Sequence, residues 1–525
     1  MRRWNGWGDQ ALTYPLPPSA LCFLEEVLGS GAPPQDAKLA HLLHAVPRSR
    51  LPVHPLVTPD VEVRLRHACG QSLPDWVAFP SSEEEVAQLI TFVVRGGAHL
   101  IPYGGGTSVV GHVNPSPGDA PVLTVDMSRI NRLLALDEMS RLATFGAGVA
   151  GPRLETNLRA RGYTLGHFPQ SFEFSTLGGW IATRSSGQQS LYYGRIEELF
   201  AAGRLLSPAG RLDMPPFPAS AAGPDLRQLV LGSEGRLGIV TQAALRVSPL
   251  PEREDFHAIF FPDWGQGVAA VRAMAQARLP LSILRLSDAV ETATTLALAG
   301  QERLVNLLEQ LLRLRGLGPD KCMLLMGITG RDQAVKVARK RTVELARAYG
   351  GVHVGRKMGE EWRKSRFRTP YLRNTLWERG YAVDTLETAT RWSDVAYTAG
   401  AIRRALRDGL KEVGERVHGF SHLSHIYPDG ASIYVTYLFR LPQADSSQPG
   451  IDPDETLRRW RLLKAAASDV IVAAGGTISH QHGVGVDHLS YLPAEKGRLG
   501  MAALRSLCRT FDPEGVMNPG KLVFP

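Results

Sequence analysis

Two histidines, His480 and His482, have a spacing that could support chemistry. They lie two positions apart and precede a Gly-Val-Gly segment. In extended backbone, positions i and i+2 point to the same face, so both imidazoles would reach one ligand. Such a pair can bind a metal, transfer protons, or form hydrogen bonds in a core. The glycines that follow favour a site over a core role.

A run of three glycines, residues 104–106, is the second candidate. Apolar residues precede it, and Thr107 and Ser108 follow it. Without Cβ atoms, the backbone can adopt φ > 0 and approach a ligand closely, and successive N–H groups can converge on an anion. A phosphate or pyrophosphate is the expected occupant, and a tight turn without a ligand is the alternative. The run matches neither a Walker loop nor the G-x-G-x-x-G motif.

Two further segments, 166–187 and 232–240, are rich in glycine. Small and hydroxyl residues dominate the first, and their spacing fits neither a helix face nor a strand face. This pattern suits backbone that packs against a flat ligand, whereas a long Gly/Ser loop is the alternative. The second segment leads into a predicted strand over 243–247.

The elements around the three-glycine run predict an α/β unit. A short strand over 73–80 is followed by a helix that begins after Ser82, with three glutamates in its first turn, and ends at a Gly-Gly pair. A strand then enters the run, and further strands are predicted at 122–126 and 142–149. In such units the ligand lies at the carboxyl end of a strand.

Residues beyond 250 predict a second domain. Predicted strands at 256–261, 280–288, 321–328, 419–427 and 431–440 alternate with predicted helices at 264–277, 303–313 and 332–349. We expect a cap domain built on an antiparallel sheet. A helix over 455–474 then leads to the histidine pair.

Composition excludes several classes of protein. The chain has 525 residues, enough for two or three domains, and 44% hydrophobic and 21% charged residues are typical of globular proteins. Its net charge of +8 comes from dispersed arginines, so anionic ligands are favoured but nucleic acid is not expected. The four cysteines are isolated, which indicates a reducing compartment. We find neither a signal peptide nor an apolar run of about 18 residues.

Four motifs between residues 80 and 241 carry a family resemblance. In order they are Pro-x-Ser-x-Glu-Glu-Val, Pro-Tyr-Gly-Gly-Gly-Thr-Ser, Ser-Thr-x-Gly-Gly-Trp-x-x-Thr and Gly-Ser-Glu-Gly-x-Leu-Gly-Ile-Val-Thr. They resemble the FAD-binding domain of the vanillyl-alcohol-oxidase superfamily, of the PCMH type. The resemblance implies an α+β fold, with a two-subdomain PCMH-type FAD-binding domain plus an α/β cap domain with an antiparallel sheet. The implied domains are an N-terminal helical extension (1–72), the FAD-binding domain (73–250), the cap or substrate domain (251–465) and a C-terminal segment that returns to the FAD domain (466–525).

The resemblance also implies how FAD is held. In that family the triple-Gly loop holds the pyrophosphate, and the later loops line the flavin and adenine. Several relatives attach FAD through a histidine after the paired glycines, but Thr107 stands there, so we expect non-covalent FAD. The expected cofactor-binding residues are Tyr103, Gly104, Gly105, Gly106, Thr107, Ser108, Val109, Gln170, Ser171, Ser175, Thr176, Gly178, Gly179, Thr183, Arg184, Ser185, Ser186, Glu234, Gly235, Gly238, Ile239 and Val240.

A comparison within the superfamily argues against a metal at the histidine pair. FAD-linked 2-hydroxy-acid dehydrogenases usually carry Gly-His-x-Gly-Asp-Gly-Asn-Leu-His and Glu-His-Gly-Ile-Gly segments, which together supply metal ligands. Here Tyr434 replaces the second histidine of the first segment, and Gln481 replaces the glutamate of the second. Tyrosine and glutamine are poor ligands for a divalent metal, so we expect none.

A second set of motifs resembles alkyldihydroxyacetonephosphate synthase. The set includes Gly-Ala-Ser-Ile-Tyr, Ile-Ser-His-x-His-Gly-Val-Gly, Gly-His-x-Pro-x-Ser-x-Glu-Phe-Ser-Thr and Ser-Ile-x-Arg-Leu. That family exchanges the acyl group of acyl-glycerone phosphate for a fatty alcohol, and its flavin does no net redox chemistry. The resemblance implies catalytic roles for Tyr434, as the acid/base, and for His480, His482 and His167. It implies substrate binding by Arg373, at the phosphate, and by Arg285.

Alternatives remain for these residues. Each arginine could form a salt bridge, and Tyr434 could be an ordinary sheet aromatic. The chain also departs from the synthase pattern, with Gln481 in place of a histidine, Gln170 and Phe168 in place of acidic residues, and His422 in place of an arginine. An FAD-linked dehydrogenase or oxidase of a 2-hydroxy acid or alcohol is therefore the alternative function.

The expected partners follow from this assignment. We expect a cytoplasmic flavoenzyme that acts on a small-molecule lipid phosphate or hydroxy acid. A lipid substrate implies peripheral contact with the inner face of a membrane, although the sequence shows no anchor. A homodimer is compatible with the sequence.

Overall fold

A computed structural model describes residues 8–9, 11–32, 55–58, 60, 64, 73–115, 118, 120–443 and 450–524. The chain divides into two compact units, each assembled from three stretches. The first unit comprises Met1–Ala37, Gln188–Tyr192 and Pro251–His480, and the second comprises Lys38–Gly187, Tyr193–Leu250 and Gln481–Pro525. Most of the predicted N-terminal extension lies outside the described residues, and the four domain boundaries stay a prediction.

The described residues contain 18 strands. They are β1 (Val57–Thr58), β2 (Trp76–Ala78), β3 (His99–Tyr103), β4 (Val122–Asp126), β5 (Leu133–Asp137), β6 (Leu142–Gly146), β7 (Tyr163–Thr164), β8 (Phe200–Ser207), β9 (Gly210–Met214), β10 (Ile239–Arg246), β11 (Ser248–Pro249), β12 (Arg253–Phe261), β13 (Leu281–Ser287), β14 (Cys322–Gly330), β15 (Val352–Gly355), β16 (Tyr381–Arg391), β17 (His418–Ile426) and β18 (Gly430–Arg440).

The α-helices of the described residues occur in both units. They are α1 (Pro18–Leu28), α2 (Glu83–Gly96), α3 (Gly151–Arg159), α4 (Leu177–Thr183), α5 (Ser190–Tyr193), α6 (Ile196–Leu199), α7 (Arg227–Val230), α8 (Trp264–Gln276), α9 (Ala289–Leu298), α10 (Glu302–Leu314), α11 (Asp332–Ala348), α12 (Lys357–Ser365), α13 (Thr369–Glu378), α14 (Val395–Asp408), α15 (Pro453–Ala473) and α16 (Leu492–Phe511). None of these helices has the length and apolar content needed to cross a bilayer.

Within its described residues, the second unit contains three sheets. In the four-stranded sheet, of order β1-β2-β4-β3, strands β2, β4 and β3 are parallel. The five-stranded sheet has the order β5-β6-β10-β8-β9 and is antiparallel, and β7 pairs with β11. The glycine run follows β3, so it lies at the carboxyl end of a parallel strand, as the sequence predicts.

Helix α2 shows why the predicted α/β unit forms. The Ser82 side chain accepts a hydrogen bond from the Glu85 N–H and caps the helix, and three glutamates favour its positive end. Gly97, with φ = +61°, ends it. The buried face packs into a core with β2, β3 and β4, through Val86, Leu89, Ile90 and Val93. The predicted helix is confirmed.

Helix α4 contradicts one expectation. We expect residues 166–187 to be neither helix nor strand, but Leu177–Thr183 is helical. Trp180 and Ile181 are buried in the core of the five-stranded sheet, and the Gly178 N–H donates to the Ala147 carbonyl at 2.7 Å. Tertiary packing thus outweighs the low helix propensity of the paired glycines.

The first unit is built on one seven-stranded sheet. Its order is β15-β12-β14-β13-β17-β18-β16, and every pairing is antiparallel. The longest register joins β16 to β18 over eleven residue pairs. The α+β class and the antiparallel cap sheet are confirmed.

His418, at the start of β17, is buried in an apolar setting. It is 7% exposed, and the rings of Phe23 and Phe420 lie 5.5 and 5.3 Å from its imidazole. Its Nε2 lies 3.1 Å from Thr294 Oγ1, and that hydroxyl donates its own proton to the Val290 carbonyl. Nε2 is therefore the donor. Burial lowers the pKa of His418 to about 4.

We expect His418 to make stability depend on pH below neutrality. The unfolded imidazole has a pKa of 6.5, so between pH 6.5 and about 4 the unfolded chain binds a proton that the folded chain does not. The free energy of unfolding therefore decreases by about 3 kcal/mol as the pH is lowered from 6.5 to about 4. Above pH 6.5 His418 has no such effect. Urea unfolding at pH 7.5, 5.5 and 4.5 would measure this. The His418→Gln chain should show a weaker dependence, and an unchanged one would contradict the assignment.

Candidate active site

The glycine run requires glycine at each position. Gly106 has φ = +62°, and an added Cβ would overlap the Tyr103 hydroxyl. An added Cβ at Gly104 would overlap the Thr176 hydroxyl, and one at Gly105 would overlap the backbone just before that threonine. The run therefore packs directly against the segment that precedes α4, and larger residues would push the two apart.

Backbone N–H groups of the run fit an anion. Within the part of the chain that the structure describes, the N–H groups of Gly104, Gly106 and Thr107 have no hydrogen-bond partner. The Ser108 hydroxyl, in contrast, accepts from the His112 N–H at 3.1 Å and lies 2.9 Å from its Nδ1. Unpaired N–H groups on neighbouring residues of one loop can form a concave site that suits a pyrophosphate. The predicted Ser108 contact would use its backbone, because its hydroxyl holds the loop.

His167 lies beside the predicted flavin loop. It is 1% exposed, and its ring centre is 4.8 Å from that of Trp180. Its Nε2 is 3.2 Å from Ser185 Oγ, and the Trp180 Nε1 donates to Ser175 Oγ at 2.8 Å. The second unit thus brings together one predicted catalytic residue and two predicted cofactor residues.

Glu234 holds the segment that follows the histidine pair. Its carboxylate accepts from the N–H groups of Val484 and Gly485 at 2.5 and 2.8 Å, and lies 3.1 Å from His112 Nε2. Burial alone would raise the pKa of Glu234, but His112 and the two N–H groups outweigh it and lower the pKa. Because both oxygens are engaged, Glu234 positions this segment.

The other predicted cofactor residues have different environments. Ile239 and Val240 begin β10 and are buried in the two cores of the unit, so they serve packing. Gly238 has φ = +141°, and an added Cβ would overlap the Leu206 carbonyl. Three of the others are exposed, namely Val109, Gln170 and Gly179. The remaining ones are buried or half-buried, namely Ser171, Gly178, Thr183, Arg184, Ser186 and Gly235.

Three polar side chains lie side by side on the cap sheet. In the antiparallel register Tyr434 of β18 is opposite His422 of β17 and Glu387 of β16. Directly opposed residues point to the same face. The rings of Tyr434 and His422 stack, with centres 5.0 Å apart and planes 19° apart. Burial raises the pKa of Tyr434. The hydrogen bond with Thr385 lowers this pKa, but burial has the larger effect, so the phenol is protonated at neutral pH.

The half-buried Arg285 forms an ion pair with the buried Glu291 next to this row. Its Nη2 lies 2.6 Å from Glu291 Oε1, and the same oxygen lies 3.0 Å from His422 Nδ1. Since a carboxylate only accepts, His422 donates through Nδ1–H, and its Nε2 carries the lone pair when the ring is neutral. The salt-bridge alternative for Arg285 is thus present, and it links this arginine through His422 to Tyr434.

Arg373 is exposed on α13. The nearby Asp384 carboxylate accepts from the Trp460 Nε1 at 2.6 Å and lies 3.5 Å from Lys464 Nζ. Burial alone would raise the pKa of Asp384, but Lys464 and Arg373 lower it. Among the described residues Arg373 has no ion-pair partner, so its guanidinium is accessible to an anion.

His480 packs against residues that the sequence did not single out. Its Nε2 lies 2.6 Å from the Tyr427 hydroxyl, and its ring stacks on His425 with centres 4.9 Å apart. His425 has φ = +49° at a β-bulge, and its Nδ1 is 3.0 Å from Ser190 Oγ. Such conformations are costly and cluster at functional sites. Tyr427 therefore joins the candidate site.

The histidine pair does not lie on a strand. Residues 480–482 are bends, so the expected same-face geometry does not apply. His480 belongs to the first unit and His482 to the second. The described residues include no group of three His, Cys, Asp or Glu side chains arranged to hold a metal.

Sequence reasoning did not find Glu291, Tyr427 or Asp384. Glu291 follows Asp288, whose side chain caps α9, and this Asp-x-x-Glu pattern reads as a helix start. Tyr427 follows the motif Ser-His-Ile, and its only sequence signal for a functional role is that it lies two residues after His425. No local pattern marks Asp384.

Two family models match the chain. The model described as "FAD binding domain" matches residues 74–213, and the model described as "FAD linked oxidases, C-terminal domain" matches residues 250–522. The second alone spans more than half of the chain. The glycine run, residues 104–106, lies within the first of these two matches.

Curated relatives match most of the chain. "Alkyldihydroxyacetonephosphate synthase" of Dictyostelium discoideum is 29% identical over 95% of this chain and 80% of that protein. The protein of the same name from Caenorhabditis elegans is 30% identical over 88% of this chain and 78% of that one. "Uncharacterized FAD-linked oxidoreductase YgcU" of Escherichia coli (strain K12) is 26% identical over 86% of this chain and 89% of that protein.

Solved structures agree with these matches. A structure of alkyldihydroxyacetonephosphate synthase has a TM-score of 0.83 at 26% identity and covers 99% of both chains. p-Cresol methylhydroxylase with substrate bound has a TM-score of 0.65 at 14% identity over 96% of both chains, which shows the fold alone. The chain therefore belongs to the FAD-linked oxidases and, among these FAD-dependent enzymes, to the alkyldihydroxyacetonephosphate synthase family.

Proposed function

We propose that the chain is an alkyldihydroxyacetonephosphate synthase, which exchanges the acyl group of acyl-glycerone phosphate for a fatty alcohol without net redox. The observation that carries the proposal is Tyr434, a protonated phenol between His422 and Glu387 on the cap sheet. The exchange needs a group that moves a proton as the fatty acid leaves and the alcohol enters. Tyr434 stands where hydroxy-acid dehydrogenases carry a metal-binding histidine.

Arg373 and Arg285 have different roles in the proposed binding of the substrate phosphate. Arg373 is accessible and offers a planar fork of N–H donors, which suits a phosphate. Arg285 is neutralised by Glu291, so it orients the substrate more than it attracts it. His480, held by Tyr427, is the further acid–base residue that we propose in the first unit, and His482 and His167 are those that we propose in the second.

FAD fits the second unit. The unpaired N–H groups of Gly104, Gly106 and Thr107 would hold the pyrophosphate, and the segment around His167 and Ser185 would line the flavin. When bound, FAD would supply the reactive flavin ring. The chain's own residues would bind the substrate and move the protons.

One observation keeps the alternative function in place. Arg285 is already paired with Glu291, where a phosphate-binding role would favour an unpaired guanidinium. An FAD-linked oxidoreductase of a 2-hydroxy acid or alcohol needs less positive charge at this position. The alternative therefore stays as the second candidate.

Anaerobic mixing distinguishes the two functions. Purified holoenzyme is mixed with 2-hydroxy acids and alcohols, and the flavin absorbance is followed. In parallel, labelled fatty alcohol and acyl-dihydroxyacetone phosphate are supplied and the lipid product is isolated. Label in an ether lipid without flavin bleaching supports the synthase, and bleaching by a hydroxy acid without label in lipid overturns it.

We expect FAD to be released on denaturation. Thr107 stands where covalent relatives carry the attaching histidine, so the imidazole nitrogen that forms the bond to the flavin ring is absent. Acid precipitation of the holoenzyme should leave the flavin in the supernatant. Yellow colour that remains in the washed pellet would show a covalent link.

The expected surroundings complete the proposal. Cys22, Cys322 and Cys508 are free, whereas Cys69 lies outside the described residues. Isolated free thiols are consistent with the predicted cytoplasmic location. We propose peripheral contact with a membrane, from which long-chain substrates would enter, and a homodimer, which sedimentation would test.

A further inference from the structure

Helix α10 presents a row of leucines to solvent, on the outside of the first unit. Leu304, Leu307, Leu311 and Leu314 are 48, 53, 53 and 82% exposed. Their spacing of three and four residues places them on one helix face. The helix is anchored through another face, because Leu312 is 1% exposed in a core cluster with β12 and β14. The row is therefore held on a rigid element.

Arginines border the leucine row on both sides. At about 100° per residue, Arg303 and Arg315 lie about 20° beyond the outermost leucines. Both are exposed, and neither has an ion-pair partner among the described residues. The glutamates of the helix, Glu302 and Glu309, lie more than about 100° away, and Glu309 is paired with Lys321 at 2.9 Å. The face has an apolar centre, positive borders and no carboxylate.

We infer that α10 is the element that docks the protein on an anionic lipid surface. An amphipathic helix of this kind lies in the interface, with leucines at the acyl boundary and arginines among anionic headgroups. A second copy of the chain fits the face less well, since pairing two such faces would gather four arginines around one contact without a carboxylate. The inference names the element for the proposed membrane contact but does not depend on the reaction.

Vesicle flotation tests the inference. Purified holoenzyme is floated with vesicles of phosphatidylcholine alone or mixed with phosphatidylglycerol. We expect binding to the anionic vesicles and at least about tenfold weaker binding for the Leu307→Ser/Leu311→Ser chain. Arg303→Gln/Arg315→Gln should weaken binding to anionic vesicles only. The matched control is Leu134→Ser on β5, also 53% exposed, which should bind as the wild type does.

Each outcome decides the inference. It is overturned if the wild-type chain does not float, or if the leucine variant floats equally well. It is also overturned if sedimentation shows that the wild type is a dimer and the variant a monomer while neither binds vesicles, since a second copy then covers the face. Circular dichroism and thermal unfolding confirm that the variants fold. Flotation without any synthase turnover would support docking and count only against the proposed reaction.

Discussion

Replacing Tyr434 by phenylalanine lowers turnover by about 10²- to 10⁴-fold, the usual contribution of a positioned acid or base. The substitution removes one oxygen from a side chain that stacks on His422, so the ring packing survives. Because burial raises the pKa of the phenol, its role is that of a proton donor, and phenylalanine lacks that proton. Labelled-alcohol incorporation under saturating substrate measures the loss.

Tyr381→Phe is the matched control. This buried phenol, 2% exposed at the start of β16, donates to the Gly29 carbonyl at 2.8 Å and accepts from the Gly31 N–H at 3.1 Å. Its loss should cost about 1 kcal/mol of stability and leave turnover per folded molecule unchanged. Flavin content should equal that of the wild type in both variants. Turnover of Tyr434→Phe near the wild-type value would remove the phenol from the mechanism.

Replacing Glu291 by alanine destabilises the first unit by about 3–5 kcal/mol. The substitution leaves Arg285 and His422 partly buried without their carboxylate, and breaking such a pair on one side is strongly unfavourable. Glu291→Gln keeps the shape and some of the hydrogen bonds, so its loss should be smaller. Urea unfolding monitored by circular dichroism gives both values, and an alanine variant within 1 kcal/mol of the wild type would contradict the ion pair.

The pH dependence of this difference is a second readout. Burial alone would raise the pKa of Glu291, but His422 and Arg285 lower it from 4.5 to about 2. A lowered pKa contributes stability that is complete above pH 4.5 and is lost as the pH falls toward 2, about 3 kcal/mol in all. The gap between wild type and Glu291→Gln should therefore narrow between pH 5 and pH 3. A gap that is constant over this range would show that the charge of Glu291 is unimportant.

Local sequence signals predicted most elements of the fold. Helix α2 carries its own cap at Ser82, an acidic first turn and a stop at Gly97, and strand β18 shows a long run of β-forming residues. Such signals act over a few residues, so they can be recognised without knowledge of the neighbours. The glycine run can be recognised for the same reason, because its chemistry lies in N–H groups only a few residues apart.

The candidate site could be predicted only in part. Tyr434 and Arg285 came from motifs, but the contact that joins them passes through Glu291 and His422, which are 131 residues apart. The pairing of β13 with β17 and the packing of α9 beside β17 bring these two together. The prediction for the segment that forms helix α4 was wrong for a related reason, because burial of Trp180 against distant strands decides the conformation of this segment. Long-range packing leaves no mark on local periodicity.

The C-terminal residues of the second unit have a consequence for biosynthesis. Strand β3 is an edge strand, and Leu100 pairs with Met517, while Asn518 Nδ2 donates to the carbonyls of Glu234 and His112. On the ribosome, at about 5–20 residues per second, the β3 edge stays unpaired for roughly 20–80 s while the chain from β3 to Met517 is made. An unpaired edge invites aggregation. Nascent chains should therefore depend on chaperones until residues 516–518 emerge.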